Sequence, residues 1–414
     1  MTPIKVRSAK NFSGQIELPL DKSIAQRAAI LNLPTNSGVL GEDIISTKKA
    51  VSESNLSKNK TDLFLGNSGT GIRLLTGYLS GTGKSFSLSG DKSLNSRPMA
   101  RIADPLNSMG ANISLTRGKA PIEINPARLK DEFSFVMPVA SAQLKSSLLL
   151  AALNARTKIK IIEPTETRNH TELMLLHLGA DLKTEQADEG NVIILDGSKG
   201  YKRKSIFVPG DFSSASFFIA LGLLAPDSEL LIPDVGLNST RIAFLDLLKE
   251  MEAKIEIKNK HIENHELIAD LVVQSSQLKL KPVPNYLVPN LIDEIPILSV
   301  VAAFSDGQLK LDGIGELRVK ESNRLDAIQK ILDTLGVEYD QQNDSLKING
   351  AGKSFAFDGG SFNSFGDHRI AMCAAISSIR STGDVYIDDV ESIATSFPNF
   401  FSNLERLGFK LINS

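Results

Sequence analysis

The sequence predicts an α/β protein made of repeated helix–strand units, and three observations predict it. First, a short helix-start pattern recurs six times: a small or polar cluster, often after Gly or Pro, runs straight into an apolar helix. The copies begin at Lys22-Ser23, Ser68-Gly69-Thr70, Ser141-Ala142-Gln143, Ser213-Ser214, Asp293-Glu294 and Asp367-His368-Arg369. Second, from the second copy onward the spacings are 73, 72, 80 and, counted to His368, 75 residues. That period is too long for a solenoid and right for a repeated βα unit. Third, amphipathic helices end at a glycine and turn into a strand, at Gly110, Gly179, Gly336 and Gly408, with Glu252 filling the same slot. Glycine just past a helix enters the left-handed region at little cost, and the alternation of Ala253–Ile257 that follows Glu252 is strand-like.

Each unit therefore reads helix–strand–helix–strands. The first departs from the period, because Ser23 to Ser68 spans only 45 residues. Residues 41–62, GEDIISTKKAVSESNLSKNKTD, are polar and show no helix–Gly–strand signal. They predict a trimmed repeat with an exposed connection, the missing part being an outer helix and strand. Joins near Pro19-Leu20 and Pro209-Gly210 group the units in threes. Residues 1–20 with 209–414 form one discontinuous domain, and residues 21–208 form a second, truncated near 41–62. A chain of 414 residues is long enough for about two to three domains.

Bulk properties narrow the function. A net charge of −2 with 6% aromatic residues argues against a general nucleic-acid binder, which is usually basic over a whole face. The single cysteine, Cys373, allows no internal disulfide and no cysteine-based zinc site, and the histidines show no metal-ligand spacing. The N-terminal stretch MTPIKVRSAK lacks an apolar signal core, and no apolar run reaches the length of a membrane span. A cytoplasmic protein, monomeric and acting on small molecules, with no nucleic-acid or membrane partner, is the expectation.

The six helix starts carry the chemistry. A helix N-terminus has free N–H groups and about half a positive charge, so it suits anions. In LPLDKSIAQRAAIL (residues 18–31), Lys22 and Ser23 open a helix and Arg27 lies four residues after Ser23, on the same face. A phosphate there meets N–H groups, a hydroxyl and a guanidinium fork; the other reading is a capped surface helix with solvated charges. LFLGNSGTGIRLL (residues 63–75) is a strand, a glycine-rich turn and a helix, in which Gly66 and Gly69 allow close approach to the backbone. It lacks the P-loop ending and the dinucleotide glycine spacing. SRPMARI (residues 96–102) puts Arg97 before Pro98, a residue suited to position N1 of a helix. An arginine near a positive helix end is unfavourable unless an anion joins them.

ASAQLKSSLLLAAL (residues 140–153) offers Ser141 and Gln143 to ligand hydroxyls, or uses Ser141 simply as a cap. NLIDEIPILSVVAAF (residues 290–304) starts with Asp293 and Glu294, an N-cap or a general base. RVKESNRLDAI (residues 318–328) sets Lys320 and Arg324 at helical i,i+4 spacing with Glu321 between, the plainer reading being a Glu–Arg pair on a wet helix. FGDHRIAMC (residues 365–373) puts His368 and Arg369 at a helix start, where a lone histidine is usually structural.

Taken in order, these strings resemble the enolpyruvyl transferases, in the branch that joins phosphoenolpyruvate to shikimate 3-phosphate. The resemblance rests on DKS…R, GN-S-GT…R, SRP, SAQ, TRNHTE (residues 167–172), GDFSSASFF (210–218), IDEIP, RVKESNR and GDHR, and covers residues 18 to about 400. It implies two similar domains, each of three βαβαββ units in an inside-out α/β barrel, that close over the substrates. It implies that Lys22 touches both substrates. Ser23, Arg27, Ser141, Ala142 through its backbone, Gln143, Arg168, Asp293 and Lys320 would hold shikimate 3-phosphate. Asn67, Gly69, Arg97, Gln143, Arg324 and Arg369 would hold phosphoenolpyruvate. Asp293 would take the proton of the attacking hydroxyl and Glu321 would exchange protons with the methylene carbon, with Lys22 assisting. No metal or organic cofactor is implied.

Two departures stand out. Thr395, in IATSFP (residues 393–398), occupies a place where many members carry a lysine, so one phosphoenolpyruvate contact is lost or supplied elsewhere. The first repeat is short, in a part that bears no ligand. Retained Gly69 leaves room beside the phosphoenolpyruvate site and implies a glyphosate target. The rival within the fold is the UDP-N-acetylglucosamine branch. It carries a reactive cysteine before an Arg-Pro string, where this chain reads GDKSLNSRP (residues 90–98) without one. A degenerate, inactive homologue is the other alternative, and it is disfavoured because Lys22, Arg97, Asp293, Glu321, Arg324 and Arg369 are all present.

Overall fold

All six predicted helices form. In the computed structural model, which describes residues 3–9, 11–56 and 60–413, they are Lys22–Ile30, Gly69–Ser80, Ala142–Ala155, Phe212–Leu224, Ile295–Ala303 and His368–Ser377. Side chains of Asp21, Ser68, Ser141, Asp211 and Asp367 cap five of them by accepting a first-turn N–H. The helix at Ile295 starts after Glu294 with no side-chain cap, so neither Asp293 nor Glu294 serves as an N-cap.

The chain divides into two compact units, Met1–Leu20 with Pro209–His261 and Leu267–Ser414, and Asp21–Val208 with Ile262–Glu266. In the first, the helices Phe212–Leu224, Ile295–Ala303 and His368–Ser377 are buried at every residue and touch one another. Helices apolar on all sides are stable only inside a core. Sheets surround them. One runs Gly360–Phe362, Val385–Ile387, Ile4–Arg7, Lys410–Asn413; a second runs Ser13–Gln15, Glu229–Gly236, Glu266–Gln274, Ile255–Glu263. A third, Asp306–Leu311, Ser345–Ala351 and Tyr339–Gln342, is extended by a parallel bridge from Lys279 to Asp306.

The second unit repeats the scheme around Lys22–Ile30, Gly69–Ser80 and Ala142–Ala155. Its sheets run Thr61–Phe64, Phe86–Ser89, Lys119–Asn125, Asn112–Thr116 and Glu132–Val136, Lys158–Glu163, Gly190–Asp196, Asp181–Ala187. In each, the first pair is parallel and the next two are antiparallel. A central helix crosses between the parallel strands, and a hairpin follows a second helix. The predicted helix-end glycines take up their positions. Gly110, Gly179, Gly336 and Gly408 have φ of 108°, 74°, 71° and 89°, and Glu252 adopts 69° in the same slot.

Residues 41–62 overturn an expectation. Instead of a helix-free connection, they contain the helix Glu42–Leu56 and the start of the strand Thr61–Phe64. Its inward residues are Asp43, Ile44, Thr47, Ala50, Val51 and Ser54, spaced as one helical face but small or polar, which hides the periodicity. The outer helix is therefore present. What this first repeat lacks among the described residues is the hairpin, and the span between Leu56 and Thr61 is too short for two strands. Its sheet is reduced to one parallel bridge, Thr35 to Ile206. Ser57, Lys58 and Asn59 lie outside the described residues. Two smaller readings also change. Pro98 is not the N1 residue of a helix, since the next helix begins at Ala100. Lys320 and Arg324 do not share a helix face, because the helix begins at Arg324.

Close helix packing sets a steric constraint. A Cβ on Gly77 would lie 2.1 Å from the Ser147 carbonyl oxygen on the neighbouring helix. Ser147 donates its hydroxyl to the Arg73 carbonyl at 3.1 Å and Asn154 donates to that of Tyr78 at 2.8 Å. Alanine gains about 1 kcal/mol of helix propensity over glycine, but the blocking atom is backbone and cannot turn aside. Gly77→Ala is expected to destabilise the protein by about 2 kcal/mol, read as a lower urea midpoint. An unchanged or raised midpoint would contradict the packing.

Candidate active site

The predicted residues fall into two clusters, one on each unit. In the second unit, the N-cap Asp21 accepts from Ile24 N at 2.8 Å and fixes the start of the helix that presents Lys22, Ser23 and Arg27. The Lys22 ammonium sits 2.9 Å from the Asp43 carboxylate, on the helix the sequence reading did not foresee. Gln26 donates to Ser68 Oγ at 2.5 Å and Thr47 Oγ1 at 3.1 Å, tying three helices together. Arg27 is 3% exposed. It donates to Thr171 Oγ1 at 2.7 Å, Ser146 Oγ at 2.9 Å and the Ser23 carbonyl at 2.8 Å. Burial pulls its pKa down to about 10 against the attraction of Glu172, Asp21 and Glu266, and the nearby Arg168 cation pushes in the same direction as burial. It remains charged at neutral pH.

The glycine-rich turn is organised around Arg97. Its guanidinium donates to Asn67 Oδ1 and, at 3.3 Å, to Ser93 Oγ, while Asn67 Nδ2 donates to Asp91 at 2.8 Å. A Cβ on Gly69 would lie 2.7 Å from Arg97 Nη1. The arginine thus rests over the N-terminus of the helix Gly69–Ser80, the arrangement that is unfavourable until an anion joins the two. Gln143 accepts from Arg73 Nη1 at 2.6 Å and donates to Thr70 Oγ1 at 2.9 Å. Ser141 caps its helix through Leu144 N at 3.3 Å, with Ala142 as the first helical residue. Arg73 closes the GN-S-GT…R string but was given no role by sequence reading, because a lone cation in an apolar helix gives no signal of its partner.

In the first unit, charged groups converge on Asp293. Its Oδ1 lies 3.5 Å from Lys320 Nζ and 3.6 Å from Arg324 Nη1, and its carbonyl accepts from Arg369 Nη1 at 2.7 Å. Arg324 is 1% exposed and is gripped by Asp367 at 2.8 Å through Nε and by Glu321 through Nη2. Its Nη1 makes no hydrogen bond among the described residues. Burial alone would lower the Arg324 pKa, but Asp367 and Glu321 outweigh it and raise it further. Burial likewise opposes ionisation of Asp367, yet Arg324 holds its carboxyl below the usual range. Asp367 also accepts from Ser322 Oγ at 3.1 Å and caps the next helix through Arg369 N at 2.9 Å. Glu294 is buried, accepts from Ser213 Oγ and lies 3.7 Å from Arg369 Nη1.

The Thr395 hydroxyl is spent on the Ser392 carbonyl at 2.6 Å, so it does not stand in for a lysine. Cys373 is fully buried and burial raises its thiol pKa, which leaves it a packing residue. No cluster of metal-ligating side chains occurs among the described residues, and no single helix among them is long and apolar enough to cross a membrane.

Known proteins are similar to this chain in sequence and in fold. A family model described as EPSP synthase (3-phosphoshikimate 1-carboxyvinyltransferase) matches residues 38–404. A 3-phosphoshikimate 1-carboxyvinyltransferase of Zymomonas mobilis is 39% identical over 98% of this chain and 96% of that protein. One of Salinibacter ruber is 38% identical over 97% of this chain and 98% of that protein. Among solved structures, EPSP synthase from Acinetobacter baumannii superposes with a TM-score of 0.86 at 35% identity, over 100% of both chains. The enolpyruvyl transferase NikO from Streptomyces tendae shares the fold, with a TM-score of 0.76 at 14% identity over 100% of this chain and 99% of that one.

Removing the Asp367 charge tests the buried cluster. A folded-state carboxyl pKa below its unfolded value contributes stability that is present above about pH 4 and lost as pH falls through the folded value. Asp367→Asn leaves the buried Arg324 cation short of its main partner and is expected to cost about 3 kcal/mol at pH 7. Urea unfolding checks it; a midpoint equal to that of the parent protein would show that the pair does not hold the cluster.

Proposed function

The chain belongs to the EPSP synthase (3-phosphoshikimate 1-carboxyvinyltransferase) family, and from that premise we propose how its residues divide the work. The protein transfers the enolpyruvyl group of phosphoenolpyruvate to the 5-hydroxyl of shikimate 3-phosphate and releases phosphate, a step of the shikimate pathway toward chorismate and the aromatic amino acids.

Lys22, Ser23, Arg27, Ser141, Gln143, Arg168 and Lys320, with the Ala142 backbone and Asp293, hold shikimate 3-phosphate. Lys22, Asn67, Gly69, Arg97, Gln143, Arg324 and Arg369 hold phosphoenolpyruvate. The residue types suit the ligands: phosphate and carboxylate oxygens take guanidinium forks and helix N–H groups, and both lie within each cluster. Asp293 accepts the proton of the attacking hydroxyl, Glu321 delivers and withdraws the proton at the methylene carbon, and Lys22 assists. Acid and base then stand at separate positions, as protonation at carbon with addition at oxygen requires.

The observation that carries this reading is the surround of Asp293. A carboxylate 3.5 Å from Lys320 Nζ and 3.6 Å from Arg324 Nη1 is flanked by cations able to bind the oxyanions on either side of a hydroxyl. The same Arg324 Nη1 has a donor to give. The reading also takes the protein as a cytoplasmic monomer, which gel filtration and cell fractionation test.

Phosphate release should require phosphoenolpyruvate and shikimate 3-phosphate together; no release with both present would end the proposal. Asp293→Asn should lower kcat by about 100-fold or more while both KM values stay within a few-fold. A variant that mainly weakened binding would remove Asp293 from the role of base.

Glyphosate should inhibit the parent enzyme competitively with phosphoenolpyruvate, and full activity at millimolar glyphosate would refute that. Gly69→Ala places a methyl against Arg97 Nη1, whose guanidinium must swing aside. It should raise the phosphoenolpyruvate KM severalfold and weaken glyphosate inhibition, with the shikimate 3-phosphate KM unchanged. Equal KM values for parent and variant would show that Arg97 does not hold phosphoenolpyruvate from this position.

A further inference from the structure

Lys145 is the least exposed cation among the described residues of its unit and is not among the residues assigned to either substrate. It lies in the helix Ala142–Ala155, one turn after the cap Ser141, and its side chain is 0% exposed. Its ammonium stands 3.0 Å from Glu163 Oε2 and 2.7 Å from Glu172 Oε1, and donates to the Thr167 carbonyl at 3.3 Å. Each partner belongs to a different element. Glu163 ends the strand Lys158–Glu163, and Glu172 sits in the first turn of the helix His170–His177. Thr167 lies in the loop between them. Glu163 Oε1 accepts from the Thr167 N–H at 3.0 Å and also from its hydroxyl, so the loop is held from both sides at one residue.

That residue precedes Arg168. The residue before Glu172 is Thr171, whose hydroxyl accepts from Arg27 Nε at 2.7 Å and donates to Ser146 Oγ at 2.7 Å. Lys145 N donates to the Ser141 carbonyl at 3.1 Å. One buried ammonium therefore meets the helix start that carries Ser141, Ala142 and Gln143, the loop that carries Arg168, and the helix turn that braces Arg27. A buried ammonium is tolerated only where its partners are fixed, so the same requirement that pairs the charge fixes these three elements to one another.

We propose that Lys145 is a positioning residue for shikimate 3-phosphate: it sets the spacing of Arg168, Arg27 and the Ser141–Gln143 helix start without touching the ligand. This rests on the assignment of those residues to shikimate 3-phosphate. A lysine that served stability alone would leave both KM values where they are when replaced in a folded protein.

Three variants test it, with Arg168→Ala as reference. Lys145→Met keeps a long unbranched side chain, one atom shorter, and removes the charge. Lys145→Met/Glu172→Gln removes one cation and one anion, so the net buried charge is unchanged. Thr167→Val keeps all three charges and cuts only the loop's hydroxyl tie. Steady-state kinetics with each substrate varied, alongside circular dichroism, give the readout. The folded Lys145 variants should raise the shikimate 3-phosphate KM about tenfold, and Thr167→Val should raise it severalfold. The phosphoenolpyruvate KM should stay within about twofold. If the Lys145 variants do not fold, Thr167→Val decides. A shikimate 3-phosphate KM unchanged in every folded variant, while Arg168→Ala raises it, overturns the positioning role. An unchanged KM in Arg168→Ala itself instead overturns the site assignment.

Discussion

Free N–H groups at buried helix starts are the constraint on which the rest of this structure depends. Each unit places three helices at its centre, and the first turn of each has donors that no residue of the helix can satisfy. Asp21, Ser68, Ser141, Asp211 and Asp367 each answer one of them. A single cap leaves others to be met from outside the helix. The residue types beside those ends, Lys22, Arg97, Arg324 and Arg369, add positive charge where the helices already supply it, so oxyanions are the ligands that satisfy both at once.

Protein carboxylates occupy part of that role, and their burial sorts them. Asp43 beside Lys22 and Glu316 beside Lys320 belong to pairs with a partly exposed member; Lys22 is 24% exposed and Glu316 44%. A pair as open as Lys320–Glu316 is worth about 0.2–1 kcal/mol, little enough to exchange for another anion, whereas Asp43 is itself 9% exposed and holds Lys22 more firmly. Asp367 and Arg324 are 0% and 1% exposed, and breaking a pair so deep costs about 3–5 kcal/mol. The open pair is adjustable, and the buried one is scaffold that aims Arg324 and starts the helix bearing Arg369. Glu321 stands between the two classes, bonded to the buried arginine yet 23% exposed, which suits the proton transfer proposed for it.

The helix starts were legible because their signals are local: a capping side chain, a glycine or proline, and an apolar run behind it. The helix-end glycines were legible for the same reason, even where Glu252 adopts a φ of 69° in glycine's place. The helix Glu42–Leu56 was not legible, because its inward face is built from Asp43, Thr47, Ala50 and Ser54 as much as from Ile44 and Val51. Polar inward residues erase the hydrophobic period while leaving the geometry intact. Arg73 and Asp43 were missed for a different reason. Their partners, Gln143 and Lys22, are 70 and 21 residues away, and no spacing rule reports a pairing that only the fold creates.

The shortened repeat shows which parts of a unit the chemistry needs. Its hairpin is absent, while the helix Lys22–Ile30 and the second helix Glu42–Leu56 remain. In the other units the hairpin strands carry none of the residues assigned to either substrate, whereas here the second helix supplies Asp43 to Lys22 and Thr47 to Gln26. Loss of the hairpin therefore spares every charge at the helix starts. The helix ends assigned to the substrates keep their geometry because their own partners, not the missing strands, hold them: Lys22 pairs with Asp43 at 2.9 Å and Gln26 donates to Thr47 Oγ1 at 3.1 Å.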